Sequence, residues 1–459
     1  HHIAPMRPPC QDGVIISNGH LYWGPWMCGC QLSLYGNIAL GPATPGSSRD
    51  SDPALMPGES SDDVPPLNIA PGDWTSYRGD NARSDVTSVR IPDVVQPDWK
   101  RQVCVNELPT APVAAGNMVF IADRTGAVSA FDSQGNSVWK TWTGGPIYFP
   151  PAIAHDRVYV GSADGRVYAM AARTGRVLWS YRVAPEDRLI PVYGNLISTW
   201  PVAGGVIVHE GSVYAAAGIA HYDGTHVVRL DAVTGEALAT SRDSGRLAPE
   251  VNGGVSMQGN LRITDGELQF EGGGVYETAR YDLQTLSCLN TPLNQVTSGF
   301  RTAFYPYYPE YGKYVSVEHT FPDGSTLCHD ASYEGSVFTN LALEAALPAG
   351  ESRPRKELSN WLQRRGKAPP QLWQDSTNRR FTGFIVSNDR LLAAGHPDEA
   401  PEQAFLAAIN ISDGSDLWVV NLPADAVKGG TAIDASGRIY VATEDGQLLC
   451  FRSTPSISR

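Results

Sequence analysis

One phrase recurs along this chain, and its spacing constrains the fold more than any other feature. Asp164-Gly165-Arg166-Val167-Tyr168-Ala169-Met170 leads into Thr174-Gly175-Arg176-Val177-Leu178-Trp179. An earlier copy runs from Thr125-Gly126-Ala127-Val128 to Gly135-Asn136-Ser137-Val138-Trp139, so the Trp step is 40 residues. Further copies end in Gly235-Glu236-Ala237-Leu238-Ala239 and Gly414-Ser415-Asp416-Leu417-Trp418, and in all four the last residue stands four after the glycine. Alternating stretches such as Arg157-Val158-Tyr159-Val160-Gly161 come before the phrase. Alternation makes short, half-buried strands, and Asp-Gly or Thr-Gly supplies the tight hairpin turns between them. Four strands repeating at a period of about 40 are the signature of a β-propeller blade. Trp99, Trp139, Trp179 and Trp418 are suited to packing between neighbouring blades. A large aromatic buried there contributes several kcal/mol at ~25 cal/mol/Å².

The expected fold is all-β, a propeller of four-stranded blades, with seven blade-like stretches and six to eight compatible with the pattern. They cover roughly 105–145, 147–185, 200–245, 252–290, 297–345, 380–423 and 427–453, the fourth and fifth being degenerate. The last lacks an outer strand. Pro97-Asp98-Trp99-Lys100-Arg101-Gln102-Val103 carries a blade Trp without the strands before it, so an N-terminal strand is expected to close the ring and remove both open edges. That closure is expected to put Cys104 beside Cys450, as a disulfide or as two core thiols. Residues 1–45 read as an N-terminal extension of strand pieces, 46–73 as a Ser/Pro/Asp-rich linker, and 74–459 as the propeller. Residues 346–375, with Lys356-Glu357-Leu358-Ser359-Asn360-Trp361-Leu362, read as a helical insertion on one face.

The charge balance narrows the partners. A net charge of −13 argues against nucleic acid or an anionic membrane, since both need cationic faces. No uninterrupted apolar run of about 18 residues is found, so no membrane span is expected. The seven cysteines include no Cys-x-x-Cys-His, which excludes haem attached covalently through that motif. Cys10, Cys28 and Cys30 are disulfide candidates that would pin the short N-terminal extension. A zinc site using them with His20 is the weaker alternative, because paired Cys-x₂₋₄-Cys units are missing. Low Lys content and scattered cysteines point to a periplasmic or extracellular protein.

At these repeats the chain resembles the bacterial PQQ-binding-like, quinoprotein-type β-propeller repeat family. Asp164 to Trp179 matches the family repeat, and Trp74-Thr75-Ser76-Tyr77-Arg78-Gly79-Asp80-Asn81-Ala82-Arg83-Ser84 resembles its usual lead-in to the first blade. Arg188-Leu189-Ile190-Pro191-Val192-Tyr193-Gly194-Asn195-Leu196, with Ser198-Thr199-Trp200-Pro201-Val202, is similar to a loop of an uncharacterised subfamily. In that subfamily an earlier blade set precedes a segment like Cys10 to Cys30, which implies that this chain is the C-terminal portion of a longer protein. The resemblance is good over 74–245 and 380–453 and poor over 250–375.

What the resemblance implies about chemistry is divided. Its enzymatic members hold PQQ, a planar polyanion, with cationic clamps, calcium ligands and a carboxylate base. Classical members also stack the cofactor on adjacent cysteines, which this sequence lacks, and no convincing Glu, Asn and Asp ligand set is found. No catalytic residues and no metal ligands are therefore assigned, and no cofactor is expected. His-Glu-x-x-His, Gly-x-Ser-x-Gly and Gly-x-x-x-x-Gly-Lys are all absent. For a ligand in the central funnel, the candidates are Arg188, Tyr193, Trp200, His221 and Asp223. The alternative is that these residues simply plug and cap the ring. The reading is a non-catalytic scaffold that binds other protein chains, as periplasmic assembly proteins of similar repeat do. A PQQ-type oxidoreductase or redox-complex subunit with calcium is the alternative, and a glycan-binding module the second alternative.

Overall fold

The computed structural model describes residues 13–23, 38–42, 53–58, 63–192, 194–218, 225–242, 260–272, 276–290, 313–330, 339–348 and 369–454. Every regular element among them is a β-strand. Seven antiparallel sheets follow in chain order. The first comprises Val113–Ala115, Met118–Ala122, Ala127–Asp132 and Ser137–Trp142. The second comprises Ala152–Ala154, Arg157–Gly161, Arg166–Ala171 and Val177–Arg182. The third comprises Val206–His209, Ser212–Ala217, His226–Asp231 and Ala237–Ser241. Three described strands make the fourth, Arg262–Thr264, Glu267–Gly272 and Tyr276–Asp282. The fifth holds Val317–Thr320, Thr326–Asp330, Thr339–Glu344 and Gln371–Gln374. The sixth holds Arg379–Val386, Arg390–Pro397, Phe405–Asn410 and Asp416–Asn421. In the seventh, Ala426–Ile433, Ile439–Thr443 and Gln447–Ser453 are joined by Val95–Gln102 from far earlier in the chain. This is a β-propeller of four-stranded blades.

The second strands of the first, second, third and seventh sheets are buried at every position, packed between neighbouring sheets. Met118–Ala122 is buried at every position, whereas Ser137–Trp142 shows solvent at most of its residues. In the first, third and fourth sheets the turn after the third strand is built by an aspartate, Asp132, Asp231 or Asp282. Asp231 Oδ1 accepts from the N–H groups of Val233 and Thr234 at 2.9 and 2.8 Å, and Asp282 does the same for Gln284 and Thr285.

The repeated Gly and Trp are two halves of one contact between sheets. A methyl group on Gly135, Gly175, Gly235 or Gly414 would stand 2.5–2.6 Å from the ring of Trp99, Trp139, Trp179 or Trp373 respectively. Those glycines also sit at φ between +71° and +78°, where only glycine is free of a steric cost. The indole N–H groups reach across the same junctions, from Trp99 to the Ser133 carbonyl at 3.1 Å and from Trp139 to the Ala172 carbonyl at 2.8 Å. Trp418 instead reaches the Pro92 carbonyl at 2.9 Å, in the residues that lead into the imported strand. Trp179 has no such bond, because the Tyr159 hydroxyl takes the equivalent carbonyl, that of Ala232, at 2.8 Å. Between the third and fourth sheets the pair is exchanged. Ala239 stands where the Trp would be and packs against a cluster holding Leu286, which occupies the glycine position at φ +56°.

Two stretches differ from the sequence reading. Within 346–375, expected to be helical, Gln371–Gln374 is the outer strand of the fifth sheet. Trp373 there supplies the blade contact, its Nε1 donating to the Ile411 carbonyl at 2.6 Å; residues 356–362 lie outside the described residues. The stretch read as a linker carries Leu55–Pro57, a fifth strand on the second sheet. It also carries Leu67, fully buried, whose N–H donates to Asp156 Oδ1 at 2.7 Å. In the extension, Ile15–Ser17, His20–Trp23 and Ile38–Leu40 form a small three-stranded sheet.

The proposed neighbourhood of Cys104 and Cys450 is not found. Register places Cys450 opposite Trp99, while the Cys104 N–H lies at the Gly446 carbonyl, four residues along the partner strand. Four residues of strand separate them by more than ten ångströms, beyond the reach of a disulfide, and both thiols are free. Burial pushes each of them up to about 12. Cys10, Cys28 and Cys30 lie outside the described residues.

Candidate functional site

Strands alternate in direction within each sheet. The connections between sheets therefore share one end of the propeller with the turns between second and third strands. Arg188 and Trp200 belong to that end, on the connection between the second and third sheets. This connection contains an extra hairpin, Leu189–Val192 paired with Asn195–Ser198. Its Ile190 and Ile197 are buried, while Leu189 and Leu196 are 49% and 58% exposed.

The two described funnel candidates are brought together, but not as an open ligand surface. The Arg188 guanidinium lies 4.4 Å from the Trp200 ring centroid, and its Nε donates to Thr199 Oγ1 at 3.1 Å. Trp200 is buried and sets its ring edge-on to His226 at 6.1 Å. A cation over one face and burial of the rest leave no ring face on which a sugar could stack. Burial, helped by the charge of Arg242, lowers the His226 pKa to about 4. His226 begins an ordinary alternating strand, so nothing in the sequence marked it. Tyr193, His221 and Asp223 lie outside the described residues.

The centre of the propeller is occupied by the chain's own lead-in segment. Its contacts reach all seven sheets. The Ala114 N–H donates to the Trp74 carbonyl at 2.9 Å and the Ile153 N–H to the Thr75 carbonyl at 2.8 Å, holding the first and second sheets. Asn81 donates through Nδ2 to the Val208 carbonyl of the third sheet at 2.8 Å and accepts from the Ile263 N–H of the fourth at 2.8 Å. Arg78 donates to the Ser316 carbonyl, just before the fifth sheet, at 3.0 Å. The Val386 N–H of the sixth donates to the Asp85 carbonyl at 2.7 Å. Asp73 accepts from the Ala435 N–H, in the first turn of the seventh, at 3.2 Å.

This hub carries charge as well as backbone. Arg78 is ion-paired to Asp85, whose side chain is almost wholly buried. Arg83 donates to the carbonyls of Leu261, Tyr77 and Asp80 at 3.0, 3.0 and 3.1 Å. Burial lowers the Arg83 pKa to about 10 and pushes the Tyr77 hydroxyl up to about 12. The Tyr77 ring meets Phe149 edge-on at 5.6 Å and closes over Gly429.

A second polar cluster, invisible in the sequence because its members are up to 131 residues apart, joins the fifth, sixth and seventh sheets. Lys313 Nζ lies 2.6 Å from Asp425 and 3.4 Å from Glu444. The Tyr314 hydroxyl and His396 Nε2 are 2.9 Å apart, while His396 Nδ1 faces the Pro397 carbonyl at 2.9 Å. The carbonyl can only accept, so Nδ1 carries a proton. The Lys313 amine is held between two carboxylates, so this cluster ties sheets together. Among the described residues no group of three His, Cys, Asp or Glu could hold a metal ion.

Comparison with known proteins agrees with this architecture. The family model described as outer membrane protein assembly factor BamB matches residues 93–199. A BamB of Burkholderia pseudomallei is 26% identical over 180 residues, 36% of this chain and 43% of that protein. A BamB of Nitrosomonas eutropha is 25% identical over 154 residues, 34% of each. The chain thus spans less than half the length of these relatives. In structure, the quinohemoprotein alcohol dehydrogenase of Comamonas testosteroni aligns with a TM-score of 0.55 at 13% identity, over 85% of this chain and 82% of that one. A europium-containing methanol dehydrogenase aligns with a TM-score of 0.52 at 11% identity, over 84% and 99%. At such identities these likenesses speak for the fold alone. In its repeats, its sheets and these matches, the chain is similar to the PQQ-like β-propeller repeat family.

Proposed function

We propose that the chain is a non-catalytic, periplasmic propeller that docks other protein chains in an assembly serving the bacterial outer membrane. The observation that carries this reading is the similarity of residues 93–199 to outer membrane protein assembly factor BamB. The centre supports it. PQQ calls for unpaired cations and calcium ligands, yet Arg78 is neutralised by Asp85, and Lys313 by Asp425 and Glu444. Tyr77 and Arg78 are themselves packed into the hub, against Phe149, Gly429 and Asp85. A sealed hub leaves the rim, the connecting loops and the outer edges as the surfaces through which the protein acts.

The test is affinity purification of the tagged, full-length protein from its native host under mild detergent. Stoichiometric recovery of outer-membrane assembly components is expected, with lowered outer-membrane protein levels when the gene is deleted. Recovery of the protein alone, with unchanged outer-membrane proteins on deletion, overturns the reading.

A further inference from the structure

The second sheet does not end at its own fourth strand. Leu55–Pro57 adds to it antiparallel, setting Leu55 opposite Tyr181, Met56 opposite Ser180 and Pro57 opposite Trp179. The Arg182 N–H donates to the Ala54 carbonyl and the Gly58 N–H to the Leu178 carbonyl, both at 2.8 Å. One repeat earlier, the first sheet ends at Ser137–Trp142, and among the described residues no strand pairs with that edge.

The two edges correspond residue for residue at the 40-residue step, Val138 to Leu178, Lys140 to Ser180 and Trp142 to Arg182. In the first sheet the Thr143 N–H turns inward to the Gly126 carbonyl at 2.9 Å. By the alternation of an antiparallel ladder, the backbone groups of Val138, Lys140 and Trp142 then point outward. These are the counterparts of the groups that hold the added strand one sheet on. Side chains at the same positions are open to solvent, Trp142 at 59% and Val138 at 46%, and the Lys140 ammonium lies 5.6 Å from the Trp142 ring centroid. Arg101, whose Nε donates to the Gly135 carbonyl at 2.6 Å, brings a second cation to this edge. In a chain of net charge −13, a local cationic edge around an exposed tryptophan selects its occupant by charge.

We propose that the outer edge of the first sheet is a strand-addition site for an extended segment of a partner protein. That segment carries apolar residues toward Val138 and Trp142 and a carboxylate toward Lys140. Backbone pairing supplies the attachment and the alternate side chains supply the selectivity. In the register of the second sheet the chain's own segment sets Ala54, Met56 and Gly58 at these three positions, so it supplies the backbone pairing without the facing carboxylate. The proposal rests on the docking reading and names its surface.

The probe is a fluorescein-labelled peptide with the sequence of positions 51–60, whose site on the second sheet is already filled within the chain. It is titrated by anisotropy into the full-length protein and into Lys140→Pro, Trp142→Ser and Val138→Lys. Proline at position 140 removes an outward N–H without touching the inner ladder. Saturable binding is expected, weakened about tenfold or more by each substitution, with amide exchange slowed at Lys140 and Trp142 on binding. No saturable binding, or equal binding by variants whose melting shows them folded, overturns the proposal; if Lys140→Pro unfolds, the other two decide. The native-host purification separates this from the broader reading. Components recovered equally with wild type and Lys140→Pro overturn the edge and leave docking intact. Their absence from the wild type overturns docking, and the peptide titration still judges the edge.

Discussion

Replacing Gly235 with alanine places a methyl group 2.6 Å from Trp179 Cδ2 at a φ of +74°. Two costs then add. The left-handed backbone costs an L-residue roughly 1–2 kcal/mol, and overpacking against a buried ring costs about 1–3 kcal/mol more. Gly211, in the same sheet, separates them, since at φ +73° it has nothing within 4 Å of the same methyl position. Gly211→Ala should therefore cost only the first amount and Gly235→Ala both. Urea unfolding followed by circular dichroism reads the difference as a lower midpoint at unchanged slope. In a Trp179→Ala background the excess at Gly235 should vanish, giving a coupling of about 1–3 kcal/mol in the double-mutant cycle. Equal costs for the two glycines, or an excess that survives loss of the indole, would refute the idea that glycine is required there to seat tryptophan.

Other expectations follow from the same junctions and the hub. Tyr159→Phe should cost under about 1 kcal/mol by thermal melting, because the unpartnered Trp179 Nε1 can take over the Ala232 carbonyl; a loss near 3 kcal/mol, the cost of an orphaned buried acceptor, contradicts this. Arg83→Met should cost about 3–5 kcal/mol by leaving the buried Leu261 and Tyr77 carbonyls without the guanidinium donor, and a neutral result would deny the hub a structural role. His226 stays neutral in the folded protein to about pH 4 but protonates near 6.5 when unfolded. Its contribution is thus present above the unfolded value and is lost as pH falls from 6.5 towards 4, by about 3 kcal/mol at most. Urea midpoints of His226→Gln should accordingly fall less over that window than those of the wild type.

The blades were legible because each strand and turn is local. Asp-x-x-x-Gly fixes a hairpin wherever it occurs, and Trp four residues on marks the outer strand. The same rule located the imported strand through Trp99, which lacked strands of its own. It failed at Trp373, where residues 345–370 intervene between the third and outer strands and hide the period. Function was less legible, because the Lys313–Asp425–Glu444 and Tyr314–His396 contacts join residues whose proximity only the ring creates. Cys104 and Cys450 show the limit from the other side. Adjacent strands were foreseen, but a bulge and a four-residue offset, which spacing does not encode, decided the distance.

The hub also acts as a ruler. Propellers grow and shrink by duplication or loss of whole repeats, and a ring whose blades touch only their neighbours would tolerate either change. Here residues 73–87 hold a hydrogen bond for each of seven sheets. An eighth repeat would arrive with no anchor, and a lost one would strand a buried polar group at the axis. Among the described residues, then, the number of sheets and the spacing of anchors along this one short segment are matched.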